Sequence, residues 1–173
     1  MIHIMIGVPG SGKSTYIKNN KKENDVVICP DAIRKELTGD VSDQSKNEKV
    51  WKLAFSRLRE ALLNLEDPYQ DIWFDATSCK ESSINKILKV VEEAYKKTEA
   101  SQSIQFECMK DSRSPEICKA RIAADLSNGV DRSKVPDNIV DNMYANFLEL
   151  NLEKIKERIL DEDWVTDCYI EER

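Results

Sequence analysis

The residues whose types most clearly suggest chemistry lie in one glycine-rich run near the start of the chain. Residues 7–14 read G-V-P-G-S-G-K-S and fit the phosphate-binding pattern G-x-x-x-x-G-K-[ST]. Glycines in this pattern let successive backbone N–H groups point into one concavity that suits an anion. Lys13 can reach the β- and γ-phosphates of a nucleotide, and the Ser14 hydroxyl can ligate Mg²⁺. The run therefore predicts a site for ATP, or another NTP, together with Mg²⁺.

The residues around this run favour a real nucleotide site over a chance match. An apolar stretch over residues 1–6 predicts a buried strand before the run, and a helix is expected to begin near Lys13. The N-terminal dipole of that helix attracts the same phosphates. The residues expected to bind the nucleotide are Gly7, Pro9, Gly10, Ser11, Gly12, Lys13, Ser14 and Thr15.

Asp31 and Arg34 follow a second predicted strand, residues 26–29. Ligands of parallel sheets bind beyond the carboxyl ends of the strands, so both residues are expected on the same rim as Lys13. Asp31 can take the proton of an incoming hydroxyl, or it can serve only as an N-cap or first-turn acid of its helix. Arg34, three residues on, can grip an anionic group of the acceptor, or it can form an ion pair with Asp31 or Glu36.

Asp75 ends a third predicted strand, residues 72–74. A carboxylate at this rim is expected to hold Mg²⁺ through water, with Ser14 as the second metal-binding residue. The alternative is that Asp75 caps the helix that starts near Ser82, although several residues separate the two.

A segment of about residues 110–136 is expected to form a lid over the phosphates. Its helix is predicted to begin at Ser114-Pro115, with the serine at the N-cap. The segment carries Arg113, Arg121 and Arg132, of which at least one is expected to contact ATP. The expected catalytic residues are Lys13, Asp31, Arg34, Arg121 and Arg132.

Predicted strands and helices alternate along the chain, which indicates an α/β fold. We expect one domain over residues 1–173, with three layers: a central parallel sheet of about five strands, helices on both faces and a helical lid. Further strands are predicted at 103–108 and 164–170. A long helix over 44–66 is expected to stop at Asp67-Pro68.

Composition narrows the class of protein. The net charge is −6, and no apolar run approaches the roughly 20 residues of a membrane span. The start of the chain does not show a signal-peptide pattern, so no membrane association and a cytoplasmic location are expected. Five scattered cysteines without a C-x-x-C pair indicate neither a disulfide framework nor a zinc site. The single histidine, His3, lies inside the first strand and is expected to be structural.

At these residues the sequence resembles the P-loop polynucleotide 5′-hydroxyl kinases of the phage type, within the wider P-loop kinases. The motifs that carry the resemblance are G-V-P-G-S-G-K-S-T, Asp31-x-x-Arg34, Asp75, Cys118-x-x-Arg121, Val135-Pro136 and Met143-Tyr144. The resemblance implies that Asp31 is the general base and that Arg34 contacts the 3′-phosphate of the terminal nucleotide. It also implies lid arginines on the donor phosphates and a bacterial or phage-infected cell.

The lid departs from the pattern of that family. The family often has an asparagine after the first lid arginine and a second arginine one turn later. This chain has Ile122 and Asp125 at those positions. The lid is also longer before Val135-Pro136, so Arg132 is expected to do the work of the second arginine.

Three functions remain open at this point. The first is a kinase for 5′-hydroxyl ends of DNA or RNA. The second is a P-loop kinase for a nucleoside or another small hydroxyl compound, which the net acidity favours because no long basic track is visible. The third is an NTP-binding switch, which would not need the Asp31–Arg34 pair. The sequence leaves the oligomeric state open.

Overall fold

A five-stranded parallel sheet forms the centre of the molecule, as the sequence predicts. The computed structural model describes residues 1–65 and 69–173. The strands are β1 (Ile2–Ile6), β2 (Val26–Ile28), β3 (Ile72–Phe74), β4 (Gln102–Cys108) and β5 (Val165–Glu172). Their order is β2-β3-β1-β4-β5, and every neighbouring pair is parallel. Because β1 lies between β3 and β4, the residues that follow all three strands meet at one edge.

Seven α-helices connect and cover the strands in the part of the chain that the structure describes. They are α1 (Lys13–Asn20), α2 (Pro30–Thr38), α3 (Asn47–Leu63), α4 (Glu81–Thr98), α5 (Pro115–Ser127), α6 (Asp137–Glu149) and α7 (Leu152–Leu160). A 3₁₀ turn, Lys110–Arg113, precedes α5. This architecture confirms the predicted α/β fold of the P-loop kinase type.

The long predicted helix, α3, is shorter than expected at both ends. It begins at Asn47 instead of 44, because Asp43 Oδ1 accepts the Ser45 N–H at 2.8 Å and turns the chain before the helix. It ends at Leu63 instead of 66. The predicted stop at Asp67-Pro68 lies outside the described residues.

The two faces of the sheet carry cores of different size. Alternate residues of β1 (Ile2, Ile4 and Ile6) point into a large apolar core with side chains from α3, α4 and α7. On the opposite face, Met5 and Trp73 pack with Ile17 of α1 in a much smaller cluster. Helices therefore cover both faces, as predicted, and the larger core anchors the strand that leads into the glycine-rich loop.

His3 lies on the face with the smaller cluster and has structural partners. Its ring stacks on Trp73 with a centroid separation of 3.8 Å, and its Nδ1 lies 2.8 Å from Glu107 Oε1. Arg173 Nε donates to the other carboxylate oxygen of Glu107 at 2.7 Å. Burial alone would raise the pKa of Glu107, but the hydrogen bonds from His3 and Arg173 outweigh it and hold that pKa below its usual range.

All five cysteines are free thiols. Among residues 1–65 and 69–173, no helix is long and apolar enough to cross a membrane.

Candidate active site

The glycine-rich loop connects β1 to α1 at the carboxyl edge of the sheet. Gly12 has a φ of 95° and precedes the first residue of α1, Lys13. Lys13 is buried, and its Nζ donates to the carbonyls of Gly7 and Val8, each at 2.9 Å. Burial lowers the pKa of Lys13, and the charges of Asp75 and Asp31 partly offset that effect. Of the predicted nucleotide-binding residues, those from Gly7 to Gly12 therefore lie in the loop, and Lys13, Ser14 and Thr15 form the first turn of α1.

Ser14 and Asp75 form a hydrogen-bonded pair beside this loop. Ser14 Oγ donates to Asp75 Oδ2 at 2.7 Å. Burial raises the pKa of Asp75, while the Ser14 hydroxyl and the Lys13 ammonium oppose that shift. Asp75 does not cap the next helix, because α4 begins at Glu81 with Lys80 at the N-cap. The alternative role considered for Asp75 is therefore not seen.

The chemistry of this pair fits Mg²⁺. Magnesium commonly takes one or two protein oxygens and completes its shell with substrate phosphates and water. Ser14 and Asp75 offer one hydroxyl and one carboxylate at the same point. No cluster of three or more His, Cys, Asp or Glu side chains able to hold a metal occurs among the described residues. The pair therefore suits a metal that arrives with a nucleotide better than one held by the protein alone.

Asp31 and Arg34 lie on the first turns of α2 and contact each other. Asp31 is in the first turn after Pro30, and its carboxylate forms an ion pair with Arg34 Nη1. The Asp31 side chain is 56% exposed, whereas that of Arg34 is only 6% exposed. Arg34 also donates to Val41 O and to Asn47 Oδ1, each at 3.3 Å. A buried, anchored arginine thus holds an accessible carboxylate at the rim.

Asp31 belongs to the same electrostatic cluster as the loop. Its charge acts on the pKa values of both Lys13 and Asp75, after burial, which is the main cause in each case. The structure therefore brings together Lys13, Asp31 and Asp75, which were predicted to share one rim because each follows the carboxyl end of a predicted parallel strand.

The three lid arginines separate into two groups. Arg121, on α5, donates to Asp111 Oδ2 at 2.5 Å and to Gly10 O of the loop at 3.4 Å. Arg132 lies in the loop after α5 and donates to Asp125 Oδ2 at 2.5 Å. Arg113 instead forms an ion pair with Glu172, at the end of β5.

Arg121 and Arg132 both act on the thiol of Cys118, on α5. Burial raises the pKa of the Cys118 thiol, while the positive charges of Arg121, Lys13 and Arg132 lower it. Of the three arginines, Arg121 is the one with a described hydrogen bond to the glycine-rich loop. Ser114 occupies the predicted N-cap position of α5, but its side chain makes no capping hydrogen bond.

Two residues that sequence reasoning did not identify contact the predicted site. Asn47 accepts a hydrogen bond from Arg34, and Ser112 Oγ accepts the backbone N–H of Val8 at 3.1 Å. One signal did exist for Ser112. It follows β4, and a residue just after β4 must lie near the loop that follows the neighbouring β1.

Comparisons with known proteins identify the family and the fold of the chain. A family model described as an AAA domain (AAA_33) matches residues 2–150. No curated protein matches the chain. A family match of this kind supports a P-loop phosphotransferase that uses a nucleotide.

Two solved structures share the fold. One is a chain from the Pnkp1/Rnl/Hen1 RNA repair complex, with a TM-score of 0.68 and 18% identity over 88% of this chain and 45% of that chain. Another, from a structure of the Pnkp1/Rnl/Hen1 complex, has a TM-score of 0.53 and 23% identity over 68% of this chain and 38% of that one. The chain spans less than half the length of these proteins, and at such identities the likeness shows the fold alone. Through the match over residues 2–150, the chain belongs to the AAA domain family AAA_33.

Proposed function

We propose that this protein transfers the γ-phosphate of ATP to a 5′-hydroxyl end of DNA or RNA, with Asp31 as the general base. The observation that carries the proposal is the accessible Asp31 carboxylate, which buried Arg34 holds on the same rim as Lys13 and Asp75. An NTP-binding switch has no need for a carboxylate held in this way. The fold shared with a protein of an RNA repair complex supports a nucleic-acid acceptor.

Asp31 performs the acid–base part of the proposed reaction. Its carboxylate takes the proton of the acceptor hydroxyl while the hydroxyl oxygen attacks the γ-phosphorus. The bond from that phosphorus to the bridging oxygen of the β-phosphate breaks, and ADP leaves. Because Arg34 is anchored at Val41 O and Asn47 Oδ1, it keeps the Asp31 carboxylate in one orientation during proton transfer.

Lys13, the loop N–H groups and the lid arginines stabilise the negative charge of the transferring group. Ser14 and Asp75 would hold Mg²⁺, which neutralises charge on the β- and γ-phosphates when it is bound. Arg121 is proposed to contact the donor phosphates, since its guanidinium already reaches Gly10 O. Arg132 is proposed to act with it, in place of a second arginine on α5.

The segment 110–136 is proposed to act as the lid of a single kinase domain, residues 1–173. Its loop contacts the acceptor side of the site, because Lys35 of α2 forms an ion pair with Asp131. The backbone N–H of Lys134 also donates to Ser42 Oγ at 2.9 Å. These contacts support a lid that spans from the donor side to the acceptor side. Such an enzyme would work in the cytoplasm of a bacterial or phage-infected cell.

A specific observation favours a second candidate, a kinase for a nucleoside or another small hydroxyl compound. Arg34 is almost completely buried, and both of its terminal nitrogens donate to Asp31, Val41 and Asn47. Little of the guanidinium remains for the 3′-phosphate of a polynucleotide end. The net charge of −6 points in the same direction, because polynucleotide binding normally uses a basic surface.

Acceptors that differ by one phosphate separate the two candidates. Transfer from labelled ATP is measured on a nucleoside, on the matching nucleoside 3′-phosphate and on a short 5′-hydroxyl oligonucleotide. A polynucleotide kinase phosphorylates the last two and leaves the nucleoside unmodified, because the nucleoside offers no phosphate to the site. The matched control is the same oligonucleotide with a 5′-phosphate, which has no free acceptor. Equal kcat/KM on the nucleoside and its 3′-phosphate would establish the small-molecule candidate instead.

A further inference from the structure

The segment after β4 packs directly against the glycine-rich loop. Ser112 lies in the 3₁₀ turn of this segment and is completely buried. Its Oγ accepts the Val8 N–H at 3.1 Å, and its own backbone N–H donates to Met109 O at 3.0 Å. These two bonds connect the second residue of the loop to the end of β4, across 104 positions of sequence.

Gly7 and Gly10 of the loop are required by this packing. A Cβ on Gly7 would lie 2.6 Å from the hydroxyl oxygens of both Ser11 and Ser112. A Cβ on Gly10 would lie 2.4 Å from the carbonyl oxygen of Cys118, and Gly10 also has a φ of +83°. These two glycines thus let the 112–118 segment pack closely against the loop. In addition, they let the backbone N–H groups of the loop point toward an anion.

Val8 is the point at which the loop receives bonds from both sides. Its N–H donates to Ser112, while its carbonyl accepts from Lys13 Nζ at 2.9 Å and from Ser11 N–H at 3.2 Å. The peptide group between Gly7 and Val8 joins the two sides directly, because its N–H donates to Ser112 Oγ and its carbonyl, Gly7 O, accepts from Lys13 Nζ at 2.9 Å. If the bond to Ser112 were lost, a buried N–H would lack a partner, and the planar peptide group that carries the Gly7 carbonyl would lose one of the bonds that fix its orientation toward Lys13.

We propose that Ser112 is a positioning residue that holds the glycine-rich loop in the conformation that binds ATP. The inference rests on the proposed function, since it presumes that ATP binds at this loop. Ser112 does not touch the nucleotide in this account. It acts through Val8, and its effect is preorganisation: the loop N–H groups and Lys13 need not be ordered by the ligand.

The test compares ATP dissociation constants of the wild type, Ser112→Ala and Ser78→Ala, well below their melting temperatures. Ser78 is the matched control, because it is also buried at this edge but its hydroxyl has no hydrogen-bond partner among the described residues. Loss of one buried hydrogen bond predicts a roughly 3- to 10-fold weaker Kd for Ser112→Ala. Ser78→Ala is expected to stay within about twofold of the wild type, with the KM for the acceptor unchanged in both.

Hydrogen exchange at the Val8 amide shows whether the bond itself was removed. Faster exchange together with a weaker ATP Kd supports the inference. Faster exchange with an unchanged Kd would overturn it, as would an equal loss of affinity in Ser78→Ala. If Ser112→Ala does not fold, Ser112→Cys keeps a weaker acceptor, and its Kd should still rise measurably. A wild-type chain that binds no ATP would instead contradict the proposed function itself.

Discussion

Beside the glycine-rich loop, Lys13 and Asp75 are buried and held by short hydrogen bonds, whereas Asp31 and the lid arginines are paired as ions nearer the surface. Lys13 makes two bonds of 2.9 Å, and Ser14 bonds Asp75 at 2.7 Å. On the other side, Arg121 and Arg132 are each paired with an acid of their own segment. Exposed ion pairs contribute only about 0–1 kcal/mol, while an unpaired buried polar group costs about 1–3 kcal/mol.

This difference suggests different roles for the two regions. The glycine-rich loop is expected to be rigid, because few other conformations of its side chains would keep their hydrogen bonds. The lid arginines can exchange their acids for phosphates at little cost, because both states pair the guanidinium with an anion. Asp31 combines both features, since its carboxylate is accessible while the arginine that holds it is buried.

The largest effect is expected from removing the charge at the centre of the fixed region. Lys13→Ala should remove transfer activity, with a loss of at least roughly 10⁴-fold in kcat, because the ammonium stabilises the transferring phosphoryl group. The fold should persist, since the core of β1 does not depend on this side chain. Steady-state kinetics and circular dichroism measure both. Lys18→Ala, an exposed lysine in the last turn of α1, is the matched control and should retain wild-type turnover. Normal turnover of Lys13→Ala would contradict the kinase function.

An intermediate effect is expected in the lid, where the structure distinguishes arginines that the sequence did not. Arg121→Ala should lower kcat by roughly 10²-fold, because Arg121 already reaches the loop at Gly10 O. Arg113→Ala should change kcat less than about twofold, since Arg113 pairs with Glu172 at the end of β5. Both variants are compared by kcat and by KM for ATP. Similar losses in the two would show that the lid moves far more than its contacts suggest.

The smallest effect on activity is expected from a change at Glu107, the buried carboxylate that bonds with His3 and Arg173. Glu107→Gln should destabilise the protein by about 1.5–3 kcal/mol at pH 7 and leave the KM for ATP unchanged, because Glu107 accepts bonds from His3 and Arg173. The pKa of Glu107 is held below its usual range in the folded protein. Its contribution to the free energy of unfolding is therefore fully present above the pKa of about 4.3 that it has in the unfolded chain, and that contribution is lost as the pH falls through the folded pKa. Urea unfolding at pH 7 and at about pH 2.5 should therefore show a smaller difference between variant and wild type at the lower pH. A difference that grows on acidification would contradict this account.

The donor side could be predicted from sequence because its residues are contiguous. The pattern over residues 7–14 contains the loop, the lysine and the hydroxyl, so short-range sequence defines the site. Asp31 and Asp75 could be placed because parallel strands bring their carboxyl ends to one edge. The family match and the five-stranded sheet confirm the fold that this reasoning predicted.

The partners of the predicted residues could not be found in the same way. Asn47 reaches Arg34 because a turn places the start of α3 beside α2, and Ser112 reaches Val8 only through the pairing of β1 with β4. Asp111 pairs with Arg121, and Asp125 pairs with Arg132. These pairings depend on the direction of α5 and of the loop that follows it. Such contacts depend on tertiary packing, which no local pattern encodes.

Turnover of Asp31→Asn tests the central claim, that Asp31 is the general base, most directly. The substitution keeps the size of the side chain and removes its basicity. With a 5′-hydroxyl dinucleotide as acceptor, kcat should fall by roughly 10²–10⁴-fold, while the Kd for ATP stays within about twofold of the wild type. Glu36→Gln, which removes another acid of the same helix that pairs with Arg57, is the control and should keep its turnover. A lower melting temperature of Asp31→Asn with near-normal kcat would contradict the claim and leave Asp31 only its structural pairing with Arg34.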